Sequence, residues 1–199
     1  MKAIIINIET LLLKDNYYIS HISYLVYDFT NLKLLIIHNH DIEIYHKAHK
    51  LYNNNNNNTS NQNYILSNNK IKRIIAIINY YIKLVDIIIA YDYNFLKKVF
   101  IEECNRNKIF CEIESYNHYC VLEVYNKIFY KFDLSKKTKV QNDKLYIIYQ
   151  ELFQLSYLFN ITHTLLNCLL IIRIYYKFVI GNDLEIYDYN IKRLRIYNS

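Results

Sequence analysis

The most regular pattern of the chain is a largely apolar run over residues 3–10, in which Asn7, Glu9 and Thr10 are the polar positions. Such a run predicts a strand that is buried on both faces. Residues two apart share one face of a strand, so Asn7 and Glu9 are predicted to lie side by side where the strand ends. A buried polar side chain without a partner costs about 1 to 3 kcal/mol. The two side chains therefore either face solvent at the strand end or belong to a functional site.

The next apolar segments alternate with a period of two and predict an antiparallel meander. Strands are predicted over residues 3–10, 18–29 and 33–38, with a connection over residues 11–16. Ile22, Tyr24 and Val26 are predicted to share one face of the second strand. Residues 40–63 have weak periodicity, so they are predicted to form a long excursion from the sheet.

Later segments alternate between strand and helix patterns. A helix capped by Asn68 or Asn69 is predicted from apolar residues at helical spacing, and it extends to Val85. Further helices are predicted over residues 94–105, 120–130, 143–154 and 162–179, and short strands over residues 86–90 and 109–113. A meander followed by a strand, a helix and a strand predicts an α/β fold with a mixed sheet flanked by helices.

The composition is typical of a packed globular protein, since 53% of the 199 residues are apolar and 16% are aromatic. We expect one domain over residues 1–180 with a low-complexity insertion near residues 50–64, followed by a basic tail over residues 181–199. The 23 Tyr, the single Gly and the runs of Ile, Asn and Lys are typical of an AT-rich genome. The asparagine tract is therefore interpreted as a neutral loop and not as a binding element.

Charge and cysteine usage restrict the partners and the compartment. The net charge of +6 suits a polyanion such as single-stranded nucleic acid, although lysine enrichment also follows from codon usage. The four cysteines form no CxxC pair, which favours reduced thiols in the cytoplasm. No apolar run is long enough to span a membrane, and Asn7 and Glu9 interrupt a possible signal sequence. These features predict a soluble cytoplasmic protein without a membrane partner.

Four histidines lie close together in the sequence, His38, His40, His46 and His49. Their HxH and HxxH spacings can be drawn as a metal site. We do not expect one, because the geometry of the site would depend on a segment without regular structure.

Three separated stretches together resemble a known family. They are the strand that ends in Glu9 and Thr10, the segment over residues 88–96, and the helix that begins at His163 and contains Cys168. Their order and spacing resemble the DEDDh 3′-to-5′ exonucleases, the family of the proofreading subunit of bacterial DNA polymerase III. The resemblance covers about residues 1–179.

The resemblance implies a ribonuclease H-like fold and a site for two Mg²⁺ or Mn²⁺ ions held by carboxylates. It assigns the general base to His163. The positions of the four metal-binding carboxylates fall on Asn7, Glu9, Leu96 and Cys168. Only Glu9 keeps a carboxylate there, and so this chain departs from the pattern of the family.

Nearby residues offer partial replacements for the missing ligands. Asn7 can offer an amide oxygen, and Asp92 lies four residues before the second-motif position. Thr10 follows Glu9 in the first motif, and the rings of Tyr91 and Tyr93 can stack on unpaired bases or simply pack in the protein. Leu96 and Cys168 also fit an ordinary apolar core, and His163 fits a helix cap.

Three hypotheses follow. The first is an exonuclease-like protein that has lost most or all of its metal-dependent activity and binds nucleic acid or a protein partner. The second is an active metal-dependent 3′-to-5′ exonuclease with a reduced site of Asn7, Glu9, Asp92 and His163. The third is a chance resemblance in an α/β domain. One carboxylate cannot offset the repulsion between two divalent ions, which favours the first hypothesis.

Overall fold

The computed structural model describes residues 1–13, 15–42, 60–129, 145–154 and 164–184. The strands are β1 (Lys2–Leu13), β2 (Asn16–Asp28), β3 (Lys33–Asp41), β4 (Ile87–Ala90) and β5 (His118–Cys120). The α-helices are α1 (Ser60–Ile82), α2 (Tyr93–Asn107), α3 (Val121–Phe129), α4 (Leu145–Phe153) and α5 (Thr164–Ile180). A short 3₁₀ helix spans Glu112–Ser115.

The described strands form one sheet in the order β3-β2-β1-β4-β5. β1 and β2 pair antiparallel, as do β2 and β3, whereas β4 lies parallel to both β1 and β5. This mixed sheet flanked by helices is consistent with a ribonuclease H-like arrangement. The α/β fold class predicted from the sequence is confirmed.

Strand β1 lies at the centre of the sheet because its apolar residues serve both faces. Ile4 and Ile6 pack with residues of α1 and α2, so this side is named the α1 face. Ala3 and Ile5 pack with residues of α4 and α5, so the other side is named the α5 face. Alternate residues of a strand point to opposite faces, and therefore Asn7 and Glu9 share the α5 face with Ile5.

The β1–β2 hairpin is longer than predicted. Residues 11–13 were expected in a connection, but they continue β1 and pair with residues 16–18 of β2. The turn contains Asp15 at a φ of 63°, in the left-handed region. Aspartate tolerates this conformation better than most residues, which allows a tight turn where the chain has no glycine.

Two other predicted boundaries are wrong. The described structure has no strand over residues 109–113. After α2 ends at Asn107, the chain forms the 3₁₀ helix Glu112–Ser115 and then β5. β5 has three residues, too few for a recognisable alternation. β3 extends to Asp41 and so includes His38 and His40, which were expected at and beyond its end.

Helix positions agree with the sequence pattern more closely. α2 to α5 lie within a few residues of their predicted spans, but α1 begins at Ser60, well before the predicted cap. Within the described part of the chain, no helix is both long and apolar enough to cross a membrane. The asparagine tract, the first two residues of the helix predicted over 162–179, and residues 185–199 of the predicted tail lie outside the described residues.

Candidate functional site

Two rows of polar residues cross the α5 face at the end of the apolar part of β1. Asn7 pairs with Ser23, which in turn pairs with Asn39 of β3. Glu9 pairs with His21, which in turn pairs with Asp41. Both rows follow directly from the strand register, because directly paired residues project from the same face. The predicted neighbours Asn7 and Glu9 thus lie within a larger polar area.

The first row forms a hydrogen-bonded group without any charge. The hydroxyls of Ser23 and Thr164 lie 2.6 Å apart, and they lie 2.6 and 3.1 Å from Asn39 Oδ1. Ser23 and Thr164 are buried. One hydroxyl donates to the amide oxygen and the other can donate to its neighbour, so the buried oxygens are satisfied. This neutral cluster, Ser23, Asn39 and Thr164, joins the start of α5 to two strands.

Cys168 lies next to the neutral cluster and is fully buried. Its Sγ lies 3.4 Å from the carbonyl oxygen of Ser23 and 4.0 Å from that of Ile5. Burial raises the pKa of the thiol well above its usual range, although the backbone N–H of Asn7 partly opposes this effect. Cys168 therefore remains a neutral thiol at physiological pH, a poor ligand for Mg²⁺.

Two of the predicted ligand positions are thus brought together. The Cys168 thiol lies close to Asn7, because it faces the carbonyl oxygens of Ile5 and of Ser23, the residue paired with Asn7. Cys168 and Asn7 are far apart in the sequence. The amide nitrogen Nδ2 of Asn7 is buried and has no hydrogen-bond partner among the described residues. Neither side chain supplies a charge, so these residues do not fit a pair of Mg²⁺ ions.

The second row is charged and reaches solvent. Glu9 Oε2 lies 3.3 Å from His21 Nδ1, and Asp41 Oδ1 lies 3.4 Å from His21 Nε2. The side chain of Glu9 is 35% exposed and that of Asp41 is 75% exposed. Thr10 lies just past this row, where the register between β1 and β2 shifts by one residue.

Asp92 caps the first turn of α2. It lies directly before α2, and its Oδ1 accepts a hydrogen bond of 3.0 Å from the backbone N–H of Phe95. Such a contact satisfies an N–H that the first turn of a helix leaves unpaired. The charge of Asp92 also contributes to the raised pKa of Cys120, after the larger effect of burial.

The predicted ligand set does not assemble as a whole. Leu96 is buried on the α1 face among the core residues of α1 and α2, whereas Asn7 and Cys168 belong to the α5 face. His163 lies outside the described residues. Across the described ranges, no three His, Cys, Asp or Glu side chains are grouped so that they could hold a metal ion.

Because Asp92 caps α2, its substitution is expected to change the stability of the protein. Asp92→Ala is expected to lower the free energy of unfolding by about 1 kcal/mol, because the N–H of Phe95 loses its acceptor. Asp92→Asn is expected to change it by only a few tenths of a kcal/mol, because asparagine caps helices equally well. Urea unfolding of the three proteins measures both values. Equal losses in the two variants would show that the negative charge, and not the cap, is what matters.

The two predicted tyrosines lie in different surroundings. Tyr93 is buried, donates a hydrogen bond of 2.7 Å to the carbonyl oxygen of Ile113, and stacks on His118 at 3.8 Å between ring centroids. An unpaired base would reach this ring only after His118 moved away. Tyr91 is half-buried against the α5 face core, and its carbonyl accepts the N–H of Leu122 at 2.9 Å. Their stacking roles stay predictions.

Aromatic rings and cations meet at the far end of the β1–β2 hairpin. The guanidinium of Arg106 lies 4.4 Å from the ring centroid of Tyr18, and Lys98 Nζ lies 5.3 Å from that of Tyr17. Tyr18 pairs with Leu11, two residues beyond Glu9 on β1. These four residues, Tyr17, Tyr18, Lys98 and Arg106, are named the hairpin strip. The sequence shows the tyrosine pair, but not the cations that α2 brings to it.

Comparisons with known proteins add no identification. No protein-family model, no curated protein and no solved structure matches the chain. The assignment to the DEDDh exonucleases therefore stays a prediction that rests on the motif order.

Proposed function

We propose that this chain is a DEDDh exonuclease-like protein that has lost metal-dependent hydrolysis and binds single-stranded nucleic acid. The observation that carries the proposal is the position of the fully buried Cys168 thiol, which lies 3.4 Å from the carbonyl oxygen of Ser23, the residue paired with Asn7 on the α5 face. The resemblance assigns the positions of Asn7 and Cys168 to metal-binding carboxylates. Here both side chains are neutral, and a hydrogen-bonded neutral cluster lies against them.

Electrostatics argue against two bound metal ions. Two divalent cations about 4 Å apart repel each other by about 4 kcal/mol in water and about 16 kcal/mol at an effective dielectric constant of 20. Glu9 alone supplies one negative charge, and its carboxylate already lies beside His21. The carboxyl group of Asp92 caps α2, and Leu96 is buried on the other face. This ligand set supports a loss of catalysis.

The hairpin strip supports binding of a single strand. Aromatic rings stack on unpaired bases, and nearby cations attract the phosphates. Tyr18 lies on the α5 face side of the hairpin, close along the strand to Glu9, whereas Tyr17 packs against the α1 face core with the exposed Lys98 beside it. The net charge of +6 favours the same class of partner. The unpaired cysteines suit a reducing compartment, and we place this activity in the cytoplasm.

An active exonuclease with a reduced site is the second candidate. Its support is the second polar row, where Glu9 and Asp41 keep two solvent-accessible carboxylates on either side of His21. A single metal ion requires less negative charge than two, so this row is where residual activity would depend on Glu9.

The decisive experiment combines degradation and binding of one labelled strand. The purified protein is incubated with a 3′-labelled single-stranded oligonucleotide in Mg²⁺ and then in Mn²⁺, with Glu9→Gln as the matched variant. We expect no loss of label and a salt-sensitive rise in fluorescence anisotropy. Metal-dependent degradation that Glu9→Gln abolishes would establish the second candidate instead. If the protein neither degrades nor binds the strand, that result would indicate a protein-interaction role.

Variants of the hairpin strip locate the binding surface. Tyr18→Leu is expected to weaken binding by about tenfold, since one stacked base contributes about 1 to 3 kcal/mol. Lys98→Gln is expected to weaken binding to a similar extent, because it removes a cation that attracts phosphate. Lys33→Gln removes the same charge at the start of β3, at the opposite end of the sheet from the hairpin, and serves as the control. An equal loss in Lys33→Gln would mean that net charge, and not the hairpin strip, determines the affinity.

A further inference from the structure

A pair of histidines lies on the face of the sheet opposite to the polar rows. His38 and His40 are two residues apart on β3, and both project to the α1 face. Their rings are nearly parallel, with an interplanar angle of 11° and centroids 5.6 Å apart. His38 pairs directly with Tyr24 of β2, whose ring centroid lies 5.0 Å from that of His38 and 6.0 Å from that of His40. Two imidazoles and one phenol thus form a compact group on regular strands.

Two polar atoms of this group are buried without a partner. Tyr24 is fully buried, and its hydroxyl has no hydrogen bond among the described residues. The same is true of the Nε2 atom of His40. Such atoms are uncommon in proteins, because leaving one unsatisfied costs free energy, and they commonly mark an ordered water or an ion. Here two of them lie on rings whose centroids are 6.0 Å apart.

Among the described residues, Tyr81 and Lys70 lie beside the group. Tyr81 of α1 packs next to Tyr24 with ring centroids 6.0 Å apart. Lys70, whose charge acts on His40, donates a hydrogen bond of 2.5 Å to the carbonyl oxygen of Asp41. Imidazole nitrogens bind transition-metal ions as neutral donors, so the chemistry of the two histidines suits such an ion.

We propose that His38, His40 and the hydroxyl of Tyr24 form a binding site for a divalent transition-metal ion of the Zn²⁺ class. Imidazole suits Zn²⁺, Cu²⁺ and Ni²⁺, whereas Mg²⁺ takes only oxygen ligands. We did not expect a histidine metal site from the sequence, because His40 was predicted to lie in an irregular segment. The longer β3 removes that objection for these two residues, which need no ligand from His46 or His49. The site lies on the other face from Asn7 and Glu9 and does not depend on the proposed function.

Calorimetric titration of the full chain with ZnCl₂ tests the proposal, with MgCl₂ as the comparison ion. We expect saturable binding of one Zn²⁺ per chain and no heat from Mg²⁺. His38→Gln and His40→Gln are each expected to raise the dissociation constant at least about tenfold, and Tyr24→Phe to raise it less. His38 is exposed, so its variant is expected to fold normally.

Two control variants separate this site from other histidines. His118→Gln changes a histidine that stacks on Tyr93, and the double variant His46→Gln/His49→Gln removes the other half of the sequence motif. Both are expected to bind Zn²⁺ like the original protein. The proposal is overturned if Zn²⁺ does not bind saturably, or if His38→Gln and His40→Gln bind it as tightly as the original chain. Activity on nucleic acid plays no part in this readout.

Discussion

Cys168→Asp is expected to lower the free energy of unfolding by about 3 to 5 kcal/mol, the cost of a buried charge without a partner. The Cys168 side chain is fully buried, and its Sγ faces the carbonyl oxygens of Ser23 and Ile5. A carboxylate there would be repelled by these two acceptors, and the backbone N–H of Asn7, which favours the charged form, would offset only part of that cost. Placing a carboxylate at this position, where the resemblance expects one, is thus predicted to harm this protein. Urea unfolding in the absence of metal measures the loss.

Two further variants separate charge from shape at this position. Cys168→Ser keeps the size and a donor that can reach the Ser23 carbonyl, so a loss near 1 kcal/mol is expected. Cys168→Ala removes only the thiol, and a small cavity of similar cost is expected. Stabilisation of Cys168→Asp by millimolar Mg²⁺ would contradict our account, because it would show that the surrounding residues still accommodate the ion.

The second large effect is expected at a buried arginine on the opposite side of α5. Arg173 is buried, and its Nε and Nη2 atoms donate to Asp183 Oδ1 and Oδ2 at 2.6 and 2.5 Å. It also donates to the hydroxyl of Tyr149, and its guanidinium lies 4.2 Å from the ring centroid of Phe153. This arrangement attaches the segment after α5 to α4. Since the two partners differ in burial, their substitutions are expected to differ in cost.

Asp183→Ala is expected to cost about 3 kcal/mol, because it leaves the buried arginine without its carboxylate. Arg173→Met is expected to cost only about 1 kcal/mol, since an apolar side chain can pack against Phe153. The remaining carboxylate of Asp183 is 41% exposed and can be hydrated. Chemical unfolding of both variants at neutral pH tests the order. A larger loss for Arg173→Met would show that packing of the long side chain outweighs the ion pair.

The same ion pair predicts a pH dependence. The hydrogen bond and charge of Arg173 lower the pKa of Asp183 below its ordinary value. A lowered folded-state pKa means that the stabilisation is fully present above the unfolded-state pKa of about 3.9, and is lost as the pH falls through the folded-state value. The difference in stability between the original protein and Asp183→Asn should therefore shrink below about pH 4. A constant difference between pH 7 and pH 3 would exclude the ion pair as its source.

The sequence predicted only part of the candidate site. The period of two in β1 places Asn7 and Glu9 on one face without any structure. Their partners Ser23, His21, Asn39 and Asp41 were missed. Ser23 and His21 alternate with apolar residues of β2, but Asn39 and Asp41 alternate with His38 and His40, so the end of β3 has no apolar period. Pairing across strands depends on the length of each turn and on the register shift after Glu9. A chain with one glycine and no proline carries few signals for either.

The sequence by itself determined the α/β class, the central position of the apolar run that begins the chain, and the absence of a carboxylate at three of the four expected ligand positions. Those properties depend on residue type and periodicity, which are local. Only the tertiary structure decided that the Cys168 thiol faces the carbonyl oxygens of Ile5 and Ser23, that Asp92 caps α2, and that His38 and His40 lie beside Tyr24. These contacts depend on strand register and helix packing, which bring together residues that are far apart in the chain.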